Sequence, residues 1–422
     1  MWETIKRAFK LKELRKRIWF TLFLFILFRL GTYVPVVGID KTQIRSIIQQ
    51  GGFLALLDLF SGGGYSNFSI FALSVFPYIN ASIILNLLSS IIPSLQALMR
   101  EGGEEGQKKM AKYTRYLTVA LAALQAFSII VMFQNFLVNN SILLKIVIIA
   151  SLVAGSYIVL WLGEIMTEKG IGNGVSLIIF AGIISRIPVS IVEIRQLLST
   201  NSVSIASVIG EVLALITMLV IVLYAYQSER RIPVQYAKRI VGRKVYGGQS
   251  TYIPLRLVQA GVLPIIFAVS VMSFPYTIGQ FWPNSWFTKH IAQPFFGTPA
   301  SIWYNLIYFF LIVAFTYFNM ELTYDPIKLS GDLKKYGGFI PGIRPGMSTA
   351  EYIAIVLKRI VFPTALFLGL IAVLPNLIFR RMTVSSFIFG GTSILIIIGV
   401  ALETMQEIEA YLLMRQYQGF LK

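Results

Sequence analysis

The sequence predicts an all-α polytopic membrane protein. Of its 422 residues, 56% are hydrophobic and only 13% are charged, and the mean hydropathy is +0.72. Average soluble domains carry about 25% charged residues. Apolar runs near 20 residues recur along the chain, and about 20 helical residues are needed to cross a bilayer. We expect ten spans, at 18–35, 68–92, 116–137, 143–163, 173–188, 206–226, 255–275, 302–320, 360–379 and 385–403.

Side chains suited to metal or redox chemistry are scarce. The chain contains no cysteine, and its single histidine is His290. Disulfides and thiolate metal sites are therefore excluded, and we expect neither a metal nor a cofactor.

The net charge of +18 follows the positive-inside rule. The basic segment 1–17 precedes an apolar run, as in a signal peptide. No A-x-A-like cleavage site follows, and Arg29 interrupts the run, so we interpret it as an uncleaved first span. With the N-terminus in the cytoplasm, 28 Lys and Arg residues lie on that side and 7 on the other, which places both termini in the cytoplasm. The cytoplasmic side then comprises residues 1–17, the loops 94–115, 164–172, 227–256 and 321–359, and the tail 404–422.

The second span is interrupted and partly polar. It follows the glycine run 62–64 and contains Pro77, Asn80, Ser82 and Asn86. A helix with this much polarity is expected to line an aqueous or protein-facing space, where freed backbone groups and amides find partners.

A faint internal repeat divides the chain into two halves, 18–188 and 206–403. Glycines precede span 2, which contains Pro77, and Gly247 and Gly248 precede span 7, which contains Pro264. The two spans lie five apart, so the halves have opposite topology. Matched Gly/Pro-interrupted segments of this kind predict a functional interface between the halves.

Two cytoplasmic loops are longer than a connection requires. In the loop 227–256, alternation around Gly242 predicts a short hairpin. In the loop 321–359, prolines flank Arg344 and stiffen its position, which favours a contact over a solvated charge. For the lysines of these loops, orientation bias alone is the simpler interpretation.

Five long strings resemble the SecY/Sec61-alpha family, the central subunit of the Sec protein-conducting channel. They are FSGG…SIFALSVFPYINASIILNLL at 60–88, WLGEIMTEKGIGNGVSLIIFAGI at 161–183, YAKRIVGRKVYGGQSTYIPLR at 236–256, GGFIPGIRPG at 337–346 and FGGTSILI at 389–396. The similarity runs from the first span to the tenth, in order. It therefore covers nearly the whole chain.

The resemblance implies an hourglass of two pseudo-symmetric five-helix halves with a re-entrant plug helix. An apolar pore ring at its waist would consist of Val75, Ile79, Val175, Ile179, Ile266 and Ile396. The plug would be Phe60, Ser61, Gly62, Gly63, Gly64, Tyr65, Ser66 and Asn67. A lateral gate would open between spans 2/3 and 7/8, near Asn86 and Phe274. Taken singly, each ring residue is explained equally well by ordinary helix packing.

A lateral exit also follows from partition energetics. Each Leu-like residue of a client gains roughly 0.3–0.6 kcal/mol on entering the bilayer centre. Over a whole span this is several kcal/mol, enough to move a segment sideways through an open seam. Asn80, Ser82 and Asn86 would keep that seam from sealing as pure hydrocarbon.

Directed transport requires external energy, because the chain lacks the phosphate-binding pattern G-x-x-x-x-G-K-[ST]. The resemblance implies the SecA motor and the ribosome as cytoplasmic partners, and SecE and SecG as small membrane subunits. It also implies unfolded client polypeptides and signal sequences as cargo, and the bacterial inner membrane as the location. Motor or ribosome contacts are expected at Lys238, Arg239, Arg243, Lys244 and Arg344.

Two other classes of protein share some of these features. A secondary transporter also has inverted repeats and broken helices, but needs paired charges at mid-depth. Here Arg29, Arg186 and Glu211 are few and scattered along the sequence. A membrane-embedded enzyme needs a catalytic group, and His290 has no evident acid or metal partner in sequence.

Overall fold

The computed structural model describes residues 6, 8–39, 41–49, 52–100, 102–200, 203–236, 239–241, 244–246, 250–258, 261–299, 301–378 and 391–419. Within these ranges the chain is mainly helical. The helices are α1 Lys12–Gly31, α2 Lys41–Gln49, α3 Phe53–Phe60, α4 Phe76–Ile91, α5 Pro93–Arg100, α6 Gly103–Met132, α7 Ile142–Lys169, α8 Gly174–Ser199, α9 Ile205–Gln227, α10 Leu263–Phe281, α11 Ile302–Thr323, α12 Pro326–Lys335, α13 Met347–Ile378 and α14 Gly391–Gly419. The strands are β1 Glu229–Tyr236, β2 Arg239–Val241, β3 Lys244–Tyr246, β4 Ser250–Arg256 and β5 Gly338–Phe339.

Helices overlap the predicted spans in the described ranges, and the all-α polytopic class is confirmed, while residues 385–390 of the tenth predicted span lie outside the described residues. In the described ranges, seven helices are long and apolar enough to cross a membrane, or eight if the pair α4 and α5 is one bent span. Several helices extend well beyond the predicted spans. Helix α6 begins at Gly103 rather than 116, and α13 at Met347 rather than 360, because charged turns prolong the apolar helix.

The second span differs from its prediction. Residues 61–75 form turns, and the helix begins only at Phe76. Pro77 stands in the first turn of α4, where its missing N–H costs nothing, so it starts a helix rather than breaking one. The break lies further on, where α4 and α5 meet at 110° before Pro93.

A tight glycine turn joins α7 to α8. Asn173 caps α8 by accepting a hydrogen bond from the Ser176 N–H at 3.2 Å. A Cβ on Gly174 would lie 2.0 Å from the carbonyl oxygen of Gly163. The helices therefore approach so closely that only glycine fits, which explains the glycine-rich string at this point.

The predicted hairpin around Gly242 is present as β2 paired antiparallel with β3. A second sheet, of order β4-β1-β5, links the two long loops. On β1, Ile232 and Val234 are buried in a cluster with residues of α13, while Pro233 between them is exposed. This alternation is that of a sheet with one buried face.

Segments predicted to share the cytoplasmic side lie together. Ala8, Leu14, Ile171 and Ile408 form one small apolar cluster, drawn from the N-terminus, the loop 164–172 and the tail. Arg17 donates to the Gly170 carbonyl at 3.2 Å. The geometry thus groups these segments at one end of the molecule.

Candidate functional site

The six apolar residues assigned to the pore ring belong to one hydrophobic cluster. Five of them are at most 6% exposed, and the sixth, Val175, is partly buried and packs against the same cluster. They come from four places in the fold: the start of α4, the first turns of α8, the start of α10 and the first turns of α14.

The segment 60–67, which we call the plug segment, is enclosed by the protein. Only Phe60 belongs to a helix, α3, and the following residues form turns, so the helical part precedes the predicted plug range. Gly62 and Gly63 adopt positive φ angles of 68° and 89°, which glycine tolerates best. A Cβ on Gly62 would meet Gly182 of α8 at 3.1 Å. The glycines therefore let the plug segment lie close against α8.

An ion pair with a fully buried carboxylate lies beside the plug segment. Arg186 of α8 contacts the Asp58 carboxylate at 2.6 Å, and the Asp58 side chain is 0% exposed. The other hydrogen bonds to this carboxylate come from the Ser66 N–H and hydroxyl, both at 2.7 Å. One carboxylate thus joins α3, the plug segment and α8.

A second arginine holds the same segment from α1. Arg29 donates to the Gly62 carbonyl at 2.6 Å and to the Ser185 hydroxyl at 3.1 Å. At the far end of the segment, Arg45 donates to the Asn67 side chain at 2.8 Å. Two of the three charges that the sequence shows as scattered, Arg29 and Arg186, therefore lie beside the plug segment, whereas Glu211 lies on α9.

Helices α6 and α10 meet along a partly polar seam. The Ser128 hydroxyl donates to the Thr277 carbonyl at 3.1 Å, and Phe127 stacks on Phe281 with ring centroids 5.7 Å apart. A cavity of about 40 Å³ beside the seam is lined in part by Tyr65 of the plug segment. Plug segment and seam are thus neighbours.

Two residues assigned to the lateral gate, Asn86 and Phe274, are partly buried on α4 and α10. Earlier on α4, Asn80 is 0% exposed, and neither polar atom of its side chain has a hydrogen-bond partner among the described residues. An unpaired buried amide costs about 1–3 kcal/mol.

Comparison with known proteins decides the family. The family model SecY matches residues 69–405. The chain is 44% identical over 439 residues to the protein translocase subunit SecY of Mycobacterium tuberculosis, covering 97% of each chain. It is 42% identical over 441 residues to that of Streptomyces coelicolor, covering 99% of each. The chain belongs to the SecY family.

Solved structures share the fold. A protein-conducting channel aligns with a TM-score of 0.69 at 19% identity, covering 94% of this chain and 92% of that one. A SecY protein whose plug domain stabilises its closed state aligns with a TM-score of 0.66, at the same identity and coverage. Sec61 in a canine ribosome-channel complex aligns with a TM-score of 0.60 at 16% identity, covering 94% of this chain and 92% of that one.

The candidate partner contacts on the cytoplasmic loops are described only in part. Lys238 and Arg243 lie outside the described residues, and Arg239 and Lys244 have backbone positions in β2 and β3. Arg344 is exposed on a well-anchored tip, because its carbonyl accepts from the Thr349 hydroxyl at 2.9 Å. The strand β5 pairs with β1 just before this tip.

Sequence reasoning missed Asp58. The signal was available, since Asp58 is the sole acidic residue between Asp40 and Glu101 and lies within the apolar string LALLDLF. A charge in such a setting requires a partner, and two arginines in predicted spans also required one. The sequence did not say which charges meet.

Proposed function

We propose that this chain is the pore-forming subunit through which unfolded secretory polypeptides cross the bacterial inner membrane. Membership of the SecY family makes it a channel subunit rather than an enzyme. The pore would be lined at its waist by the six ring residues and closed from outside by the plug segment. Energy would come from cytoplasmic partners.

The observation that carries the proposal is that the six ring residues, which come from both halves of the sequence, lie in one hydrophobic cluster or, for Val175, pack against it. Apolar side chains gathered at a constriction exclude ions by dewetting, yet deform around a passing chain. The enclosed plug segment beside them supports a closed conformation, since Phe60 and Tyr65 are at most 4% exposed.

The proposal is tested by crosslinking a client stalled in transit. A photo-crosslinking amino acid replaces Ile79 or Ile266 in the full channel complex, and Ile209 serves as the matched control because it is 55% exposed on α9. We expect adducts with the client from the first two positions and none from Ile209. Equal labelling at all three, or labelling at Ile209 alone, would contradict a central pore.

We propose that α4 and α6 separate from α10 and α11 to form the lateral gate. The support is the polar seam, where Ser128 donates to the Thr277 carbonyl. Replacing Ser128 and Thr277 with a cysteine pair would lock the seam in a chain that has no other cysteine. We expect oxidation to stop insertion of membrane segments and reduction to restore it. Unchanged insertion after oxidation would reject this gate.

We propose that the two-sheet loop region and the Arg344 tip dock the SecA motor or a ribosome, and that SecE and SecG complete the complex with both termini of this chain cytoplasmic. The exposure of Arg344 on an anchored tip supports this docking. Arg344→Glu should abolish motor-driven transport. Lys328→Glu, an exposed control in the same loop, should leave it intact. Normal transport by the Arg344 variant would refute the assignment.

Neither alternative function gains support from the described residues. The arginines that a transporter would use are engaged in other contacts, since Arg29 bonds Gly62 of the plug segment and Arg186 pairs with Asp58 of α3. Glu211 lies on α9, whose most apolar stretch is only 6% buried. His290 stacks on Trp286, with ring centroids 5.3 Å apart, rather than facing an acid.

A further inference from the structure

We propose that the Asp58–Arg186 ion pair is a lock that holds the plug segment in place and thereby sets how easily the channel opens. This rests on the proposed sealing role of the plug segment, which it refines to two named positioning residues. The ion pair contacts the segment it would hold, because Asp58 also accepts hydrogen bonds from Ser66. It joins α3, which leads directly into the plug segment, to α8.

The lock is built from three contacts on one carboxylate. Arg186 lies 2.6 Å away on one side, and the Ser66 N–H and hydroxyl donate at 2.7 Å on the other. Charge-assisted hydrogen bonds of this length are about twice as strong as neutral ones. Because Asp58 binds Ser66 and Arg186 together, the plug segment cannot leave α8 without dismantling at least one of these contacts.

The two charges differ in their access to water, so the proposal predicts different effects for removing one or the other. The Asp58 side chain is 0% exposed, whereas the Arg186 side chain is 26% exposed. Removing one partner of a buried pair leaves the other charge uncompensated, and the cost is greater for the more deeply buried charge. An unpaired Arg186 can turn towards water, but an unpaired Asp58 reaches water only if α3 and the plug segment move.

Three variants of the complete channel complex separate these cases. They are D58N, R186Q and the double variant D58N/R186Q, with R195Q as the control, an exposed arginine on the same helix. Plug position is read from a single cysteine, Tyr65→Cys, because Tyr65 is 4% exposed and the chain has no cysteine of its own. A membrane-impermeant maleimide labels this thiol only when the plug segment is displaced. Ion leak across the membranes of liposomes containing the same complexes shows whether the closed pore still excludes ions.

We expect R186Q to raise the labelling rate by roughly tenfold or more, and D58N by less. The double variant should label more slowly than R186Q, because it no longer buries an unpaired carboxylate. R195Q should match the parent. A misfolded variant would label at every buried cysteine, so a second reporter at Ile148, 0% exposed on α7, must stay unlabelled.

The two readouts distinguish the lock from the seal. Unchanged labelling in R186Q overturns the lock, and so does a double variant that labels as fast as R186Q or faster. Faster labelling without ion leak would support the lock and reject the plug segment as the seal.

Discussion

Gly182 is the point at which a single methyl group should dislodge the plug segment. It lies on α8, facing the end of α3, and a Cβ built there lies 2.5 Å from the Phe60 carbonyl oxygen and 3.1 Å from the Gly62 nitrogen. Ordinary contact begins near 3.4 Å, so Gly182→Ala requires a shift of about 0.9 Å. Both neighbours are backbone atoms, so no side-chain rotation can relieve the overlap.

The expected magnitude follows from the cost of overpacking. Added methyl groups in a packed interior cost about 1–3 kcal/mol. If the strain is relieved by moving the plug segment, the displaced population rises roughly 5- to 150-fold. We expect the plug segment to move rather than α8, because α8 is a 26-residue helix whereas the plug segment is a loop.

The assay is maleimide labelling of Tyr65→Cys in the full complex, with ion leak measured in parallel. Gly210→Ala on α9 is the matched control, because a Cβ there meets nothing within 4 Å. We expect Gly182→Ala to label at least fivefold faster than the parent, and Gly210→Ala to label at the parental rate. Equal rates for the parent and Gly182→Ala would show that α8, not the plug segment, absorbs the strain.

Three further changes test the frame around the site. Gly155→Ala would place a Cβ 1.8 Å from the Ile70 carbonyl oxygen, so we expect loss of folded protein in size-exclusion chromatography after detergent extraction. Asn305→Leu removes the hydrogen bond from Asn376 at 3.1 Å, which should cost about 1–3 kcal/mol and lower the thermal midpoint in detergent. Asp325→Ala removes the cap of α12, which should cost about 1 kcal/mol and speed proteolysis near the Arg344 tip.

Hydropathy located the long helices because a membrane span must satisfy its own backbone hydrogen bonds, so an apolar run of sufficient length is a helix. It misplaced their ends for a related reason. Helix α6 starts with the charged string GEEGQKKMAKYTR, and helix formation there does not depend on lipid. Apolar content marks the part of a helix within the bilayer, and charged turns continue beyond it.

The ring residues and the contacts of the plug segment differ in how far the sequence predicts them. The six ring residues could be chosen only through resemblance to a family, because isoleucines and valines at helical spacing are typical of any packed helix. The contacts around the plug segment were out of reach for a different reason. Arg29 bonds groups 33 and 156 residues away in the chain. The rule that a membrane-embedded charge needs a partner predicts that such bonds exist but does not identify them.

The two halves resemble each other where the helices α4 and α10 begin, but not in the chain that precedes these helices. Pro77 and Pro264 both stand in the first turn of their helices, α4 and α10, so the repeat preserves where a helix begins. The preceding chain differs completely: in the first half it folds inward as the plug segment, and in the second it forms β1 to β4. Under the proposed function, sealing and docking would therefore fall to different halves. Changes at Gly182 or Arg186 should alter the leak without altering motor binding at Arg344, and a joint loss of both would mean that the halves are mechanically coupled.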